Sequence, residues 1–224
     1  MKQLNLSKRL STAVQYVRSG AIVADIGTDH AYIPIYLTLQ SRVKYAIASD
    51  INQGPLLRAK ENIKAYNLED KIATYLTSGL DGIEKFYPTD VVICGMGGEL
   101  IADIIDKSDY VKGNDVNLVL QPMTSVSELR AYLQNGFDII DEDIVFEDGK
   151  FYQIICAKYD GKIRSFEEIE LELGRINIAK RKDVFLSLLD FMISKKEKVK
   201  EGLLKGGCDI TQIQEEIEKM EKLK

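Results

Sequence analysis

The sequence has few of the residues that build metal and disulfide sites. Its three cysteines, Cys94, Cys156 and Cys208, are far apart and form no C-x-x-C pair, and the chain contains one histidine. An odd number of separated cysteines argues against a disulfide framework, and with so little histidine a structural zinc site is also excluded. Cys94 and Cys156 stand in apolar, strand-like runs, so we interpret them as buried thiols. We expect no metal.

Long apolar runs are also missing. No stretch approaches the roughly 18 residues of a membrane-spanning helix, and the first residues have no signal-peptide core. Hydrophobic residues make up 45% and charged residues 29% of the 224 residues, which is typical of an ordinary globular protein. We find no internal repeat and no low-complexity linker. We therefore expect a cytoplasmic protein with one sizeable domain and an appendage.

A general excess of basic residues is absent, because the net charge is −5. As an average, this charge argues against a nucleic-acid partner. Its distribution is uneven, however: residues 161–224 hold 14 Lys and Arg against 13 Asp and Glu, whereas residues 1–160 hold 16 against 22. Within residues 180–205, 8 basic residues accompany 4 acidic ones. Such a local excess of positive charge can bind the phosphate groups of a nucleic acid. Charged runs in helices, however, usually form a face that is exposed to solvent.

A strand, a glycine turn and a helix follow one another between residues 21 and 40. The residues before Asp25 are small or apolar, as in a strand buried on both faces, and Gly27 permits a sharp turn close to a ligand. The dinucleotide fingerprint G-x-G-x-x-G is absent, because Asp29 stands at the position of its second glycine. A second acid there would repel a pyrophosphate, but it suits a ligand with an amine or sulfonium. The alternative is a tight turn without a ligand.

Further strands and helices follow in the same alternation. An acid, Asp50, ends the second strand 25 positions after Asp25, and in nucleotide-binding α/β units such an acid binds ribose hydroxyls. Ser7 is the expected N-cap of a first helix, and Ser125 with Glu128 predicts a capping box for a later one. The remaining strands are predicted at 72–76, 90–94, 117–121, 137–146 and 151–159, the last two joined by a hairpin around Asp148-Gly149.

This order predicts an α/β fold with a seven-stranded, mostly parallel sheet, helices on both faces and a C-terminal β-hairpin. From Ser165 onward the pattern is helical only, which predicts an all-helical, coiled-coil-like extension of two antiparallel helices. We place the boundary near Asp160-Gly161. Residues 1–160 then form one domain and residues 161–224 the helical domain.

Four motifs resemble those of a known family. They are D-I-G-T-D-H-A-Y-I-P (25–34), S-G-L (78–80), C-G-M-G-G (94–98) and L-Q-P (120–122). Together they resemble the class I S-adenosylmethionine-dependent methyltransferases and, more closely, the bacterial tRNA (adenine-22-N1)-methyltransferase family, over nearly the whole chain. The resemblance implies a Rossmann-like sheet, S-adenosyl-L-methionine as cofactor and tRNA as partner.

The resemblance also implies which residues bind the cofactor. All of them follow the ends of successive strands. The resemblance assigns the methionine side of the cofactor to Asp25, Gly27, Asp29 and Ala31. It assigns the ribose to Asp50, the adenine ring to Ile51, and the adenine end to Ser78, Gly79 and Leu80, with Gly95 completing the site.

Methylation of adenine N1 sets its own requirements. N1 has an in-plane lone pair and no proton at neutral pH, so the reaction needs alignment rather than a base. Because N1 lies on the pairing edge, the adenine must be presented unpaired. Our candidates for catalytic side chains are Asp29 and His30. For binding the substrate tRNA, the candidates are Met96, Gly97, Gly98, Gln121, Lys8, Arg9, Lys180, Arg181 and Lys182.

Two other functions fit the sequence. The first is a methyltransferase for a small molecule or a protein, with the helical tail as a lid or dimerisation element. The second is a non-catalytic nucleotide-binding protein whose glycines serve turns alone. The sequence does not determine the oligomeric state, for which we favour a monomer.

Overall fold

The computed structural model describes residues 4–113 and 115–224. These residues form two compact units, one ending at Arg164 and the other beginning at Ser165. The boundary that we predicted from composition lies four residues earlier, inside the last strand of the first unit. None of the helices in this part of the chain is long and apolar enough to cross a membrane.

The first unit is built on a seven-stranded sheet. Its strands are β1 (Ala21–Ile26), β2 (Val43–Asp50), β3 (Ile72–Leu76), β4 (Asp90–Gly97), β5 (Asn117–Thr124), β6 (Asn135–Glu147) and β7 (Lys150–Ile163). Their order in space is β3-β2-β1-β4-β5-β7-β6. The first five strands are parallel, and β7 pairs antiparallel with both β5 and β6. The predicted fold class is therefore confirmed.

Helices cover both faces of this sheet. They are α1 (Lys8–Ala13), α2 (Tyr32–Leu39), α3 (Gln53–Ala65), α4 (Gly98–Asp106), α5 (Asp109–Gly113) and α6 (Val126–Leu133). Side chains of a strand point alternately to opposite faces. Val23 accordingly packs with residues of α1, α2 and α3, whereas the next residue, Ala24, packs with residues of α4 and α6. The two hydrophobic clusters make a three-layer α/β unit.

Two predicted helix starts had different outcomes. Ser7 caps α1 as expected, with its hydroxyl accepting from the Leu10 N–H at 3.5 Å. The capping box at Ser125 was wrong: the helix begins where expected, but Ser125 has a left-handed backbone (φ 53) and makes no side-chain cap. Its carbonyl lies 2.0 Å from where a Cβ on Gly98 would be. The Ser125 backbone thus packs directly against α4, a contact that local sequence does not reveal.

The second unit is all-helical, as predicted, but it contains four helices instead of the two that the pattern indicated. They are α7 (Glu168–Leu173), α8 (Arg175–Lys180), α9 (Asp183–Lys205) and α10 (Thr211–Glu221). The chain bends at Gly174 (φ 88) and Arg181 (φ 45), both outside the usual helical conformation. Helix α9 packs against α10, and the Lys196 ammonium lies 3.3 Å from the Glu172 carboxylate of α7 and 2.9 Å from that of Glu216. The buried side chains of α9 and α10 are Phe185, Leu188, Leu189, Ile193, Ile217 and Met220.

Candidate active site

The candidate site lies at the carboxyl ends of β1 and β4, neighbouring strands from which the order of the sheet runs in opposite directions. Parallel α/β sheets bind ligands at such a switch point. Gly27, after β1, has a left-handed backbone (φ 76), and a Cβ there would come within 2.0 Å of the Met96 methyl carbon. The loop after β1 and the glycine-rich end of β4 are therefore in direct contact.

Hydrogen bonds to the neighbouring strand and within the turn hold the loop after β1. The backbone N–H groups of Gly27 and Thr28 both donate to the Ser49 carbonyl of β2, at 2.8 Å each. The Thr28 hydroxyl accepts from the Ala31 N–H at 3.1 Å, and Ala31 adopts a left-handed conformation (φ 55) just before α2 begins. This geometry fixes the directions in which the loop's side chains point.

Asp29 and His30, our catalytic candidates, are in contact. The His30 Nε2 atom lies 3.1 Å from Asp29 Oδ2, and the imidazole ring stacks on Tyr32 with ring centroids 5.0 Å apart. On its other oxygen, Asp29 accepts from Arg58, through Nε at 3.1 Å and through Nη2. Hydrogen bonding to Arg58 lowers the pKa of Asp29, so this carboxylate is charged at neutral pH.

Helix α3 supplies two residues that the sequence analysis missed. Besides Arg58, the Asn62 side-chain amide donates to the His30 carbonyl at 3.1 Å. The two residues are four apart, so they share one face of the helix. That spacing was visible in the sequence, but it did not indicate which loop the two side chains reach.

Asp25 is the buried acid of the site. Its side chain is 6% exposed. Burial raises its pKa to about 7, with the nearby charge of Asp50 acting in the same direction and a hydrogen bond with Thr28 opposing both. A buried carboxyl of this kind becomes charged readily when a cation is placed beside it.

A cavity of about 390 Å³ joins this loop to the N-terminal segment. Arg9 of α1 lines it, although we had assigned this residue to tRNA contact. Its Nη1 donates to the Gln121 Oε1 atom at 2.7 Å, and its guanidinium lies 5.6 Å from the centre of the Tyr152 ring. The other residues around the cavity are Asn5, Leu6, Ser7, Leu10, Asp25, Gly27, Thr28, Asp29, His30, Tyr32, Ile33 and Cys94.

Gln121, our candidate for contact with the base, is hydrogen-bonded within the protein. Its side chain is fully buried. While Oε1 accepts from Arg9, Nε2 donates to the Pro122 carbonyl at 2.8 Å. A buried amide engaged at both ends presents no exposed atom to a base. In this structure Gln121 holds Arg9, and direct contact of Gln121 with the substrate stays a prediction.

The residues expected at the ribose and adenine lie farther along the strand ends. Asp50 is partly exposed and accepts from the Asn52 N–H at 2.7 Å, and the apolar side chain of Ile51 is 65% exposed. Ser78, Gly79 and Leu80 line a second cavity, of about 410 Å³, together with residues of α4. The structure thus separates the predicted cofactor residues into two neighbouring regions.

The three glycines of the β4 turn differ in their surroundings. A Cβ at Gly95 would meet no atom within 4 Å, and one at Gly97 would lie 3.3 Å from the Thr124 hydroxyl. At Gly98, by contrast, the space is filled by the Ser125 backbone. Gly95 therefore borders accessible space, whereas a side chain at Gly97 would crowd the Thr124 hydroxyl. The absence of a side chain at Gly98 is explained by packing rather than by substrate access.

Of the basic residues proposed for tRNA, all but Arg9 are exposed. Lys8 donates through Nζ to the Phe146 carbonyl at 3.3 Å. Arg181 donates through Nη2 to the carbonyls of Leu223, at 2.8 Å, and Lys224. Lys180 and Lys182 are exposed on either side of Arg181. Among residues 4–113 and 115–224, no group of three or more His, Cys, Asp or Glu side chains is arranged to hold a metal ion.

Comparison with known proteins gives concordant matches. Residues 6–155 match a family model described as a methyltransferase domain. A tRNA (adenine(22)-N(1))-methyltransferase of Bacillus subtilis is 38% identical over 178 residues, covering 79% of this chain and 74% of the relative.

Two solved structures extend the similarity to the full length. A Streptococcus pneumoniae protein in complex with S-adenosyl-L-methionine superimposes with a TM-score of 0.86 at 32% identity, over 98% of this chain and 99% of that one. The M. capricolum protein TrmK, in complex with S-adenosyl-homocysteine, gives 0.80 at 30% identity, over 97% and 96%.

Proposed function

The chain belongs to the family of the tRNA (adenine(22)-N(1))-methyltransferases, and on this premise we propose that it methylates N1 of adenine 22 in tRNA, using S-adenosyl-L-methionine. One observation carries the proposal. The two most specific motifs, at 25–34 and 94–98, meet over the central strands, where Met96 lies against Gly27. Because tRNA is found inside the cell, we also propose a cytoplasmic location.

The residues at the strand ends fit this cofactor. Asp25 offers a buried carboxylate to a cationic amine, and Asp50 offers an acid to ribose hydroxyls. Ile51 offers an exposed apolar surface to a flat ring. When bound, S-adenosylmethionine supplies an electrophilic methyl group on its sulfonium sulfur.

The accessible backbone around Gly95 supports the placement of the target base. No side chain occupies the space beside this glycine, so an unpaired adenine can approach the ends of β4 and β1. Because adenine N1 already carries a lone pair, holding it in line with the methyl group is the main requirement.

Asp29 and His30 are suited to stabilise the charge that develops on the adenine. The contact between His30 Nε2 and the charged Asp29 carboxylate favours the tautomer with hydrogen on Nε2 and a lone pair on Nδ1. That lone pair can accept from the exocyclic amine next to N1. As N1 gains the methyl group, positive charge spreads onto this amine, and the hydrogen bond strengthens.

The proposal is tested by incubating the purified full-length protein with labelled S-adenosylmethionine and unmodified tRNA transcripts. The product is mapped by reverse-transcription arrest, because a methyl group on N1 blocks base pairing. We expect labelling and a stop at position 22. A transcript with guanine at position 22 is the matched control and should show neither.

Labelling at another position, or labelling that persists in the control transcript, would contradict the assignment of the target. Cofactor binding without labelling of any tRNA would favour the small-molecule or protein alternative.

A further inference from the structure

The hairpin of β6 and β7 carries two aromatic side chains at its tip, which consists of residues 146–151. Strand β7 runs antiparallel to β5, with Ile155 opposite Leu120, so the residues before Ile155 run along the carboxyl end of β5. Because β4 and β5 are parallel, the tip lies at the same edge of the sheet as the glycine-rich end of β4. Phe146 and Phe151 pair across the two strands with ring centroids 4.7 Å apart, and Phe146 is 46% exposed.

Contacts on both faces of the hairpin hold its tip in place. On one face, the Tyr152 ring lies 5.6 Å from the Arg9 guanidinium of α1. On the other, the buried Arg130 of α6 donates through Nη2 to the Gln153 Oε1 atom at 2.6 Å. Phe151, two residues before Gln153, lies on this second face. A ring on a tip that is already held loses little freedom when it binds a ligand.

Positive charge lies beside the aromatic tip. Lys8 of α1 donates through Nζ to the Phe146 carbonyl at 3.3 Å, and Lys150 is exposed just after the turn. Two acids are also present: Glu147 accepts from the backbone N–H of Lys8, and Asp148 is exposed in the turn. An aromatic ring with an ammonium group on either side suits RNA, whose unpaired bases stack on such rings and whose phosphates bind cations.

We propose that Phe146 stacks on an unpaired base next to the target adenine, while Lys8 and Lys150 bind the neighbouring phosphates. The inference rests on the proposed function, because that function supplies the tRNA. Taking the target adenine out of its stack uncovers the faces of the adjacent bases. An aromatic ring at the edge of the sheet where the adenine enters can cover one of these faces.

Two other roles explain this surface less fully. A cross-strand aromatic pair stabilises a hairpin, but that role requires neither the exposure of Phe146 nor the lysines on either side. Pairing with a second copy of the chain is the other, because β6 is an edge strand. In such a pair Asp138, Asp141 and Asp143 of β6 would approach the same acids of the second copy, and like charges on an edge strand oppose this association.

The test measures tRNA affinity separately from catalysis. Filter binding is performed with unmodified tRNA and S-adenosyl-homocysteine, which has no methyl group to transfer. It compares the full-length wild type with Phe146→Leu, which stays apolar but lacks the flat ring. We expect the variant to bind tRNA on the order of 5- to 100-fold more weakly. Phe146→Tyr should recover most of the affinity, and the cofactor affinity of both variants should stay within about twofold of wild type.

Tyr87→Leu is the matched control. Tyr87 is 72% exposed and precedes β4, at the opposite edge of the sheet, so this variant should bind tRNA as the wild type does. Lys8→Gln and Lys150→Gln should each reduce the slope of log affinity against log salt concentration by about one. Phe146→Leu should weaken binding without changing that slope. Thermal melting of each variant reports whether the fold is intact.

Two modified transcripts identify the stacked base. Each has an abasic nucleotide on one side of the target adenine, at position 21 or at position 23. Where the missing base is the one that stacks on Phe146, the wild type and Phe146→Leu should bind the transcript equally, within about twofold, because the contact is already absent.

The outcomes separate this inference from the proposed function. Wild-type tRNA affinity in Phe146→Leu, or equal weakening on the normal and both abasic transcripts, would overturn the stacking assignment. A wild-type dimer that Phe146→Leu dissociates in sedimentation would also overturn it, because the ring would then belong to an interface between copies. If Phe146→Leu weakens tRNA binding as expected but the wild type does not methylate adenine 22, the hairpin inference is supported and the target assignment is not. If the wild type binds no tRNA, both fail.

Discussion

At the scale of single residues, Asp25 shows how burial couples the site to pH. Its pKa is raised to about 7, chiefly by burial, whereas an exposed aspartate titrates near pH 4. Between about pH 4 and pH 7 the folded protein therefore holds a proton that the unfolded chain has lost. The contribution of this carboxyl group to the free energy of unfolding is fully present below about pH 4, and it declines as the pH rises from about 4 to about 7.

We expect cofactor affinity to depend on the same titration. The ammonium of the ligand pairs with the charged carboxylate, so affinity should fall by up to about tenfold for each pH unit below 7. Calorimetry between pH 5.5 and pH 7.5 measures this directly. Asp25→Asn should bind weakly with a flat pH profile in that range, and its unligated form should be more stable than wild type at pH 8, by on the order of 1–4 kcal/mol. A wild-type affinity that does not vary between pH 5.5 and pH 7 would contradict the assignment.

The second prediction at the scale of single residues concerns Arg58. It hydrogen-bonds the Asp29 oxygen opposite the one facing His30, so Arg58→Gln should loosen the contact between Asp29 and the imidazole. We expect turnover to fall about tenfold, as for the loss of about 1.4 kcal/mol of electrostatic stabilisation of the transition state, with little change in KM for the cofactor. Lys60→Gln on the same helix is the charge-matched control.

Because the chain has one histidine, its imidazole gives a single set of nitrogen signals in NMR. These signals report the tautomer of His30 without interference. We expect Arg58→Gln to shift the population away from the form with hydrogen on Nε2. A shifted tautomer with wild-type turnover would remove His30 from the mechanism.

At the scale of elements, the start of α4 depends on close backbone contact with the start of α6. A Cβ on Gly98 would lie 2.0 Å from the Ser125 carbonyl oxygen and 2.8 Å from its carbon. Backbone atoms cannot rotate away as a flexible side chain can. Gly98→Ala should therefore destabilise the protein by about 1–3 kcal/mol, measured by urea unfolding.

Gly54→Ala is the matched control for this prediction. Gly54 lies in the first turn of α3, and the nearest atom to an added Cβ is 4.0 Å away. Alanine has the higher helix propensity, so this variant should be as stable as wild type or slightly more stable. Equal stability of Gly98→Ala and Gly54→Ala would show that the contact with Ser125 relaxes without cost.

At the scale of the whole molecule, the two units differ in charge, so we expect them to bind different partners. The helical unit carries the local basic excess around residues 180–205. If Lys180 and Lys182 contact tRNA phosphates, the double substitution to Gln should weaken tRNA binding. It should also reduce the slope of log affinity against log salt concentration by about one for each lost contact. Cofactor affinity should not change.

Filter binding at about 50 to 200 mM salt measures this dependence. Replacing Lys219 and Lys222 by Gln removes the same charge from α10 and its C-terminus, so it controls for long-range attraction. An equal effect of the two double variants would indicate nonspecific attraction rather than contacts at 180 and 182. A truncation designed to separate the units should begin at Ser165, because Arg164 belongs to the first unit, where it binds Asp160 and the Phe137 carbonyl.

Local sequence determined the architecture of the sheet. Continuous apolar runs identified the buried strands, and Asp148-Gly149 identified the hairpin, because period and turn chemistry are properties of neighbouring residues. The motifs at 25–34 and 94–98 also identified the family, and the chain's topology was sufficient to bring them to one edge of the sheet.

Tertiary structure alone decided which side chains meet at the site. Arg9 and Gln121 are 112 positions apart, and Asp29 and Arg58 are 29 apart, so no local pattern indicates either pair. The same holds for Ser125, whose helix start was correct but whose conformation follows from contact with Gly98. Periodicity reports which face of an element is buried, whereas the partner of a polar side chain depends on how separate elements pack in three dimensions.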